Sequence, residues 1–165
     1  LDRLNCSFFN LFIMSIGIRT SLRLAASQTV AATVTLAVLG ANTTGNSFSV
    51  ALTAGQRVHI RLQSLFTLAA TGGFRFQWVV PAAPGNFAAA FNVIDTTNAV
   101  NVPATQVATA AFANALAVAA THQLNTEIDY TNGVNAGTIS FQFACNSAAN
   151  SIIMIQGAWA DITLV

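Results

Sequence analysis

Five acids, two histidines and two cysteines are all this chain offers for acid–base, nucleophilic or metal chemistry. Glu127 and Asp129 stand two apart, so on a strand both carboxylates share one face and Tyr130 takes the other. A calcium ion would use such a pair but asks for about six to eight oxygens, and Asp161 is the one further acid in a position to join. A solvated or salt-bridged strand face is the better reading. His59, His122, Cys6 and Cys145 complete the ligand candidates without forming a metal-binding spacing, so neither metal nor cofactor is expected. Glycoside hydrolysis needs two carboxylates across a cleft, and so few acids leave few combinations. The chain has no Gly-x-Ser-x-Gly elbow, and Gly72-Gly73 lacks the glycine and lysine that complete a phosphate loop. Arg57, His59 and Arg61 alternate along one stretch and share a strand face, a polar surface for solvent or an adjacent subunit. Every Phe and Trp fits an inward position, which leaves no aromatic for stacking on sugar. The chain reads as a non-enzyme with no small-molecule substrate.

The elements that would position these residues are strands. Val30, Ala32, Val34, Leu36 and Val38 alternate with Thr29, Thr33 and Thr35, and a turn follows at Asn42-Thr-Thr-Gly45. Phe48, Val50 and Leu52 form a short strand. Val58, Ile60 and Leu62 point one way while His59, Arg61 and Gln63 point the other. After Thr71-Gly-Gly73, Phe74, Phe76 and Trp78 line one face of the next strand, which implies a thick sheet interface. Residues 82–122 are Ala-rich with Pro84 and Pro103; alanine propensity allows a helix over 105–120, but recurring Thr, Val and Asn favour irregular strands and long loops. Patterning returns over Gln123–Asn132, and Asn132-Gly133 is a strong hairpin signal. Gly137–Cys145 follows, with Ile139, Phe141, Phe143 and Cys145 on one face, then Ile152–Ile155 and Trp159–Val165. Cys145 therefore reads as a small core residue and a free thiol, in preference to a bond with Cys6. About eight strands punctuated by Gly and Pro predict an all-β fold, an antiparallel β-sandwich of jelly-roll type over residues 28–165.

Composition sets the surface. The chain has no lysine, its charged residues amount to 7%, and its net charge is +1, against about a quarter charged in an average soluble domain. Its 54% hydrophobic content includes 31 alanines, and 50 Thr, Asn, Ser and Gln meet the polar quota. Six scattered arginines make no phosphate-binding stripe, so no nucleic-acid partner is expected. A strand-rich chain this poor in charge is expected to lie against other copies or partners for much of its surface.

Residues 1–27 read as an extended N-terminal arm. Its apolar run contains Phe8, Phe9, Leu11, Phe12, Ile13, Ile16 and Ile18, the candidate assembly residues. The run spans 11 residues and falls short of the roughly 20 a bilayer span needs, so no membrane partner is expected. A signal peptide has this look, but Arg19 and Arg23 would precede any cleavage site, where positive charge is avoided. Met14 also opens a plausible start, which would make residues 1–13 an upstream extension.

The stretch Ala54-Gly-Gln-Arg-Val-His-Ile-Arg-Leu62, then Ala70-Thr-Gly-Gly-Phe-Arg-Phe76 and Val80-Pro-Ala-Ala-Pro84, resembles a pattern in small structural proteins of tailed bacteriophages. Gly137-Thr-Ile-Ser-Phe-Gln-Phe-Ala-Cys-Asn146 and Gly157-Ala-Trp159 resemble the last two strands of that group. The resemblance covers most of residues 50–165. It implies a virion protein with a jelly-roll-like body, often trimeric, without separating head from tail. The leading expectation is a capsid decoration (cement) protein, a homotrimer clamping the major capsid protein. The alternative is a tail-fibre or receptor-binding head that takes host surface glycans. A secreted trimer of the complement/TNF-like class is a third reading and would require a removable signal peptide.

Overall fold

The computed structural model describes residues 18–31, 33–40, 47–69, 73–82, 86–95, 100–106, 111–114 and 120–165. Within them the chain forms β1 (Ile18–Arg23), β2 (Gln28–Ala31), β3 (Ala37–Val38), β4 (Ser49–Leu52), β5 (Arg57–Leu68), β6 (Phe74–Val79) and β7 (Asn86–Asp95). There follow β8 (Val100–Gln106), β9 (Phe112–Asn114), β10 (Thr121–Thr131), β11 (Gly137–Cys145), β12 (Ser151–Met154) and β13 (Trp159–Leu164). They assemble into two antiparallel sheets packed together, a β-sandwich. The larger sheet runs β1-β13-β5-β10-β7-β8, with β12 pairing β5 and β2; the smaller runs β3-β11-β6-β9, with β4 on β11.

The two long strands β5 and β10 make the spine of the larger sheet, because their alternation never breaks. In β5, Val58, Ile60, Leu62, Ser64, Phe66 and Leu68 are buried while their neighbours are not, and β10 repeats this from His122 to Tyr130. Opposite them β6 buries Phe74, Phe76 and Trp78, as its spacing predicts, and β11 buries Ile139, Phe141, Phe143 and Cys145. The aromatics meet in a chain of ring contacts: Phe66 edge-on to Phe76 at 5.2 Å, Phe74 stacked on Phe76 at 4.6 Å, and Trp78 edge-on to Phe141 at 5.2 Å.

Three polar side chains close what the ladders leave open. β9 pairs only with Phe74–Phe76 of β6, so Gln106 supplies the next rung with its amide, accepting from the Trp78 N–H at 3.1 Å and donating to the Trp78 carbonyl at 3.2 Å. The Trp78 indole donates across the core to Thr126 Oγ1 at 2.9 Å. Asn132 donates to the Thr53 and Asn135 carbonyls at 2.7 and 2.8 Å, and accepts from the Tyr130 hydroxyl at 3.0 Å and the Gly133 N–H at 3.1 Å.

Several expectations change. Asn132-Gly133 does not make a hairpin: β10 and β11 lie in different sheets, and the turn carries the chain from one to the other. The single strand expected over 28–38 is broken, with Val34 exposed between β2 and β3. Gln28 folds back to donate to the Val38 carbonyl at 3.0 Å and to accept from the Gly40 N–H at 2.6 Å. In the Ala-rich stretch the described residues form the strands β7, β8 and β9 and the start of β10. Residues 18–27, counted with the arm on sequence, pair and pack as part of the sandwich: β1 lies along β13 and Leu24 is buried. Of the assembly residues only Ile18 is described, exposed at the start of β1; Phe8, Phe9, Leu11, Phe12, Ile13 and Ile16 lie outside the described residues.

Candidate functional site

Alternation decides where the ionisable groups go. Once Val58, Ile60 and Leu62 face the core, Arg57, His59 and Arg61 must face out, and Glu127 and Asp129 leave β10 on the same side. Register then sets them opposite one another, His59 facing Asp129 and Arg61 facing Glu127. His59 lies between two carboxylates, with Nε2 at 3.0 Å from Glu127 Oε1 and Nδ1 at 3.3 Å from Asp129 Oδ1. A neutral imidazole donates from one nitrogen only, so both contacts are donor bonds only in the imidazolium. Arg57 reaches Asp129 at 3.5 Å and Arg61 reaches Glu127 at 3.8 Å. Farther along, Asp161 of β13 pairs with Arg19 of β1 at 3.4 Å. These side chains are 35–73% exposed, so each pair is worth about 0–1 kcal/mol.

The arrangement is a mutually neutralised strip. Each of its carboxylates already faces a cation, and among the described residues no group of three His, Cys, Asp or Glu is placed to hold a metal ion. The second imidazole–carboxylate pair, His122 Nδ1 to Asp95 Oδ1 at 3.3 Å, is sealed in the core with its ring 5.3 Å from Phe66. It ties β10 to β7 at the register His122–Asp95 and meets no solvent. Cys145 is buried and free, and burial pushes its thiol pKa up, away from a reactive thiolate.

Beside the ionic strip lies a depression that the sequence reading missed. Between Gln63 and Phe66, β5 advances three residues while its neighbouring lane, from Met154 to Trp159, spends five. The surplus bulges outward as the turn between β12 and β13. That turn is pinned: Ile155 N–H donates to the Leu65 carbonyl at 2.9 Å, Gly157 N–H to the Leu24 carbonyl at 3.0 Å, and Gln156 N–H to Ser27 Oγ at 2.9 Å. Gly157 has a φ of 93°, which a side chain would strain. The result is a cavity of about 190 Å³ walled by Gln63, Leu65, Gln123, Gln156 and Trp159. Trp159 was expected inward with every other aromatic. It is half-buried and faces out, because Ala160 and Ile162 fill the inward slots of β13. Asp161, two residues on, carried the signal: a charged residue and Trp159 share one face.

The outer face of the smaller sheet is unlike this. Ala51, Ser49, Thr138, Gln77, Gln142 and Val79 fall on it by register, with Ser140 and Ala144, which are buried, and its one charge among the described residues is Arg75. Arg75 donates to the Val34 carbonyl at 3.0 Å.

No family model, curated protein or solved structure matches this chain.

Proposed function

We propose that this chain is a structural subunit of a phage virion, a capsid decoration protein that works as a homotrimer against the major capsid protein. The observation that carries the reading is the segregation of charge. Among the described residues, every exposed ionised side chain except Arg75 lies on the larger sheet's outer face, which leaves the other face poor in charge, with Ser, Thr, Gln, Ala and Val around Arg75. Such a face packs against protein without stranding charges away from water. At roughly 25 cal/mol per Å², a seam of about 1,000 Å² repeated over a shell would resist internal pressure. The trimer and the virion setting rest on the resemblance.

A jelly-roll wrap is part of this proposal. In support, the chain passes from β4 to β5, β6 and β7 by changing sheet at each step, and again from β9 to β10, β11 and β12. The β7–β8 pair extends the larger sheet beyond β10. The tail-fibre alternative draws on one observation, the outward Trp159.

Two measurements test the reading. Light scattering on the purified chain should return three times the 17.2 kDa mass; a monomer at high concentration overturns the assembly argument. Antibodies to the folded domain should label capsids in images of particles made alongside this chain. Label confined to tail tips would favour the fibre alternative, and unlabelled particles would end the virion reading.

A further inference from the structure

We propose that the depression between β5, β10 and the β12–β13 turn is a binding site for a neutral saccharide, with Trp159 as its stacking wall and Gln63, Gln123 and Gln156 as its hydroxyl readers. The walls set the chemistry of the ligand. The lining combines an indole with three primary amides and contains no ionised side chain. A charged ligand would find no counter-ion there, and a purely apolar one would strip water from amides without replacing its hydrogen bonds. A pyranose ring satisfies both halves. Its C–H face lies on an aromatic ring, and each hydroxyl both donates and accepts, as does each side-chain amide.

The amides have capacity to spare. Gln123 donates to Asn125 Oδ1 at 3.3 Å and keeps its carbonyl oxygen uncommitted. Among the described residues the side chains of Gln63 and Gln156, both in the lining, form no hydrogen bond with the protein. Size points the same way. About 190 Å³ lies below the roughly 300 Å³ where drug-sized pockets begin, and fits one sugar ring with the rest of a glycan in solvent. Preorganisation adds to this. The turn that makes one wall is tied by backbone bonds to β5 and to the β1–β2 connection, so binding would order little that is not already ordered. Register also sets Trp159 directly beside Gln63, which makes ring and amide neighbours on adjacent strands.

The inference stands on this pocket alone and does not rest on the virion reading; its failure would leave the oligomer and labelling tests untouched. It is tested by saturation-transfer NMR on the full chain with glucose, galactose and N-acetylglucosamine, each at millimolar concentration, and N-acetylneuraminic acid as the charged comparison. At least one neutral sugar should receive saturation, strongest at its ring C–H protons. Trp159→Ala should weaken its binding about tenfold or more, and Gln63→Ala by severalfold. Unchanged circular dichroism would show both variants folded. If Trp159→Ala disturbs the fold, Trp159→Phe replaces it, expected to retain part of the binding. The proposal is overturned if none of the three neutral sugars binds, if folded Trp159 variants bind as well as the parent, or if the charged sugar binds tightest.

Discussion

The two outer surfaces of this sandwich are built on the same period-two alternation and fill their outward slots differently. On the larger sheet β5, β10, β13 and β1 place Arg57, His59, Arg61, Glu127, Asp129, Asp161 and Arg19 within reach of one another. On the smaller, β11, β6 and β4 turn out Ser, Thr, Gln, Ala and Val around a single Arg75. A composition of 7% charge therefore describes neither face. The scarce charge is gathered on one face, where it is hydrated and paired, and is nearly missing from the described part of the other.

The largest effect belongs to the core that both faces share. Phe141 is fully buried against Trp78 and Phe76, and Phe141→Ala should cost about 3–5 kcal/mol in a urea titration; a loss below about 1 kcal/mol would mean that the inward set of β11 is misassigned. Next come the faces. Gln142→Glu adds a charge to the charge-poor face, beside Gln77 and Val38; under the proposed assembly it should weaken self-association about tenfold or more, or about 1.4 kcal/mol. The same charge at Thr163, beside His59 and Arg19, should leave association within about twofold of the parent. The reverse ranking by sedimentation would exchange the roles of the two faces.

Alkaline pH probes the buried side. Burial raises the pKa of Cys145 above its ordinary 9.0 and of Tyr130 above its ordinary 10.0. The unfolded chain then releases these protons first, so stability holds below pH 9 and falls as pH climbs through the folded-state values. Melting temperatures measured from pH 7 upward should show that decline, and Cys145→Ala should delay its onset. A profile rising above pH 9 would contradict it. The smallest effect is expected on the ionised face itself. Glu127→Gln should cost at most about 1 kcal/mol, and less in high salt; a larger loss by chemical denaturation would show that the strip holds the fold together.

How much of this was legible follows a physical rule. Long uninterrupted alternation was read correctly in β5, β6, β10 and β11, since a one-residue slip there would expose Phe76, Ile128 or Phe141. The outward placing of Arg57, His59, Arg61, Glu127 and Asp129 came with it. Lost were the features set by a side chain that competes with a ladder. The strand that Val34 and Leu36 continue on paper stops at Ala31, and Gln28 bonds Val38 and Gly40 across the break. Trp159 fits an inward position on paper with the other aromatics, but Ala160 and Ile162 take the inward slots and Asp161 shares the outward face of Trp159. The depression was invisible for a related reason, because it arises from a five-against-three mismatch between neighbouring lanes, and a single strand's pattern does not state its partner's length. Asn132-Gly133 marked a reversal correctly, but a dipeptide fixes only local direction and not which sheet receives the next strand.

Asn132 has a consequence for how this molecule ages. An asparagine followed by glycine is the pair most prone to lose its side-chain amide, because the unhindered glycine nitrogen attacks the asparagine side-chain carbonyl and closes a succinimide. Here both ends of the amide are occupied, its nitrogen by the Thr53 and Asn135 carbonyls and its oxygen by the Tyr130 hydroxyl and the Gly133 N–H that would otherwise attack. The fold thus holds this side chain in place, and ring closure requires that network to come apart. Conversion to aspartate or isoaspartate at this position would act as a clock that runs only while the corner between the sheets is open, and the fraction converted in an old preparation would record how long its molecules had spent unfolded.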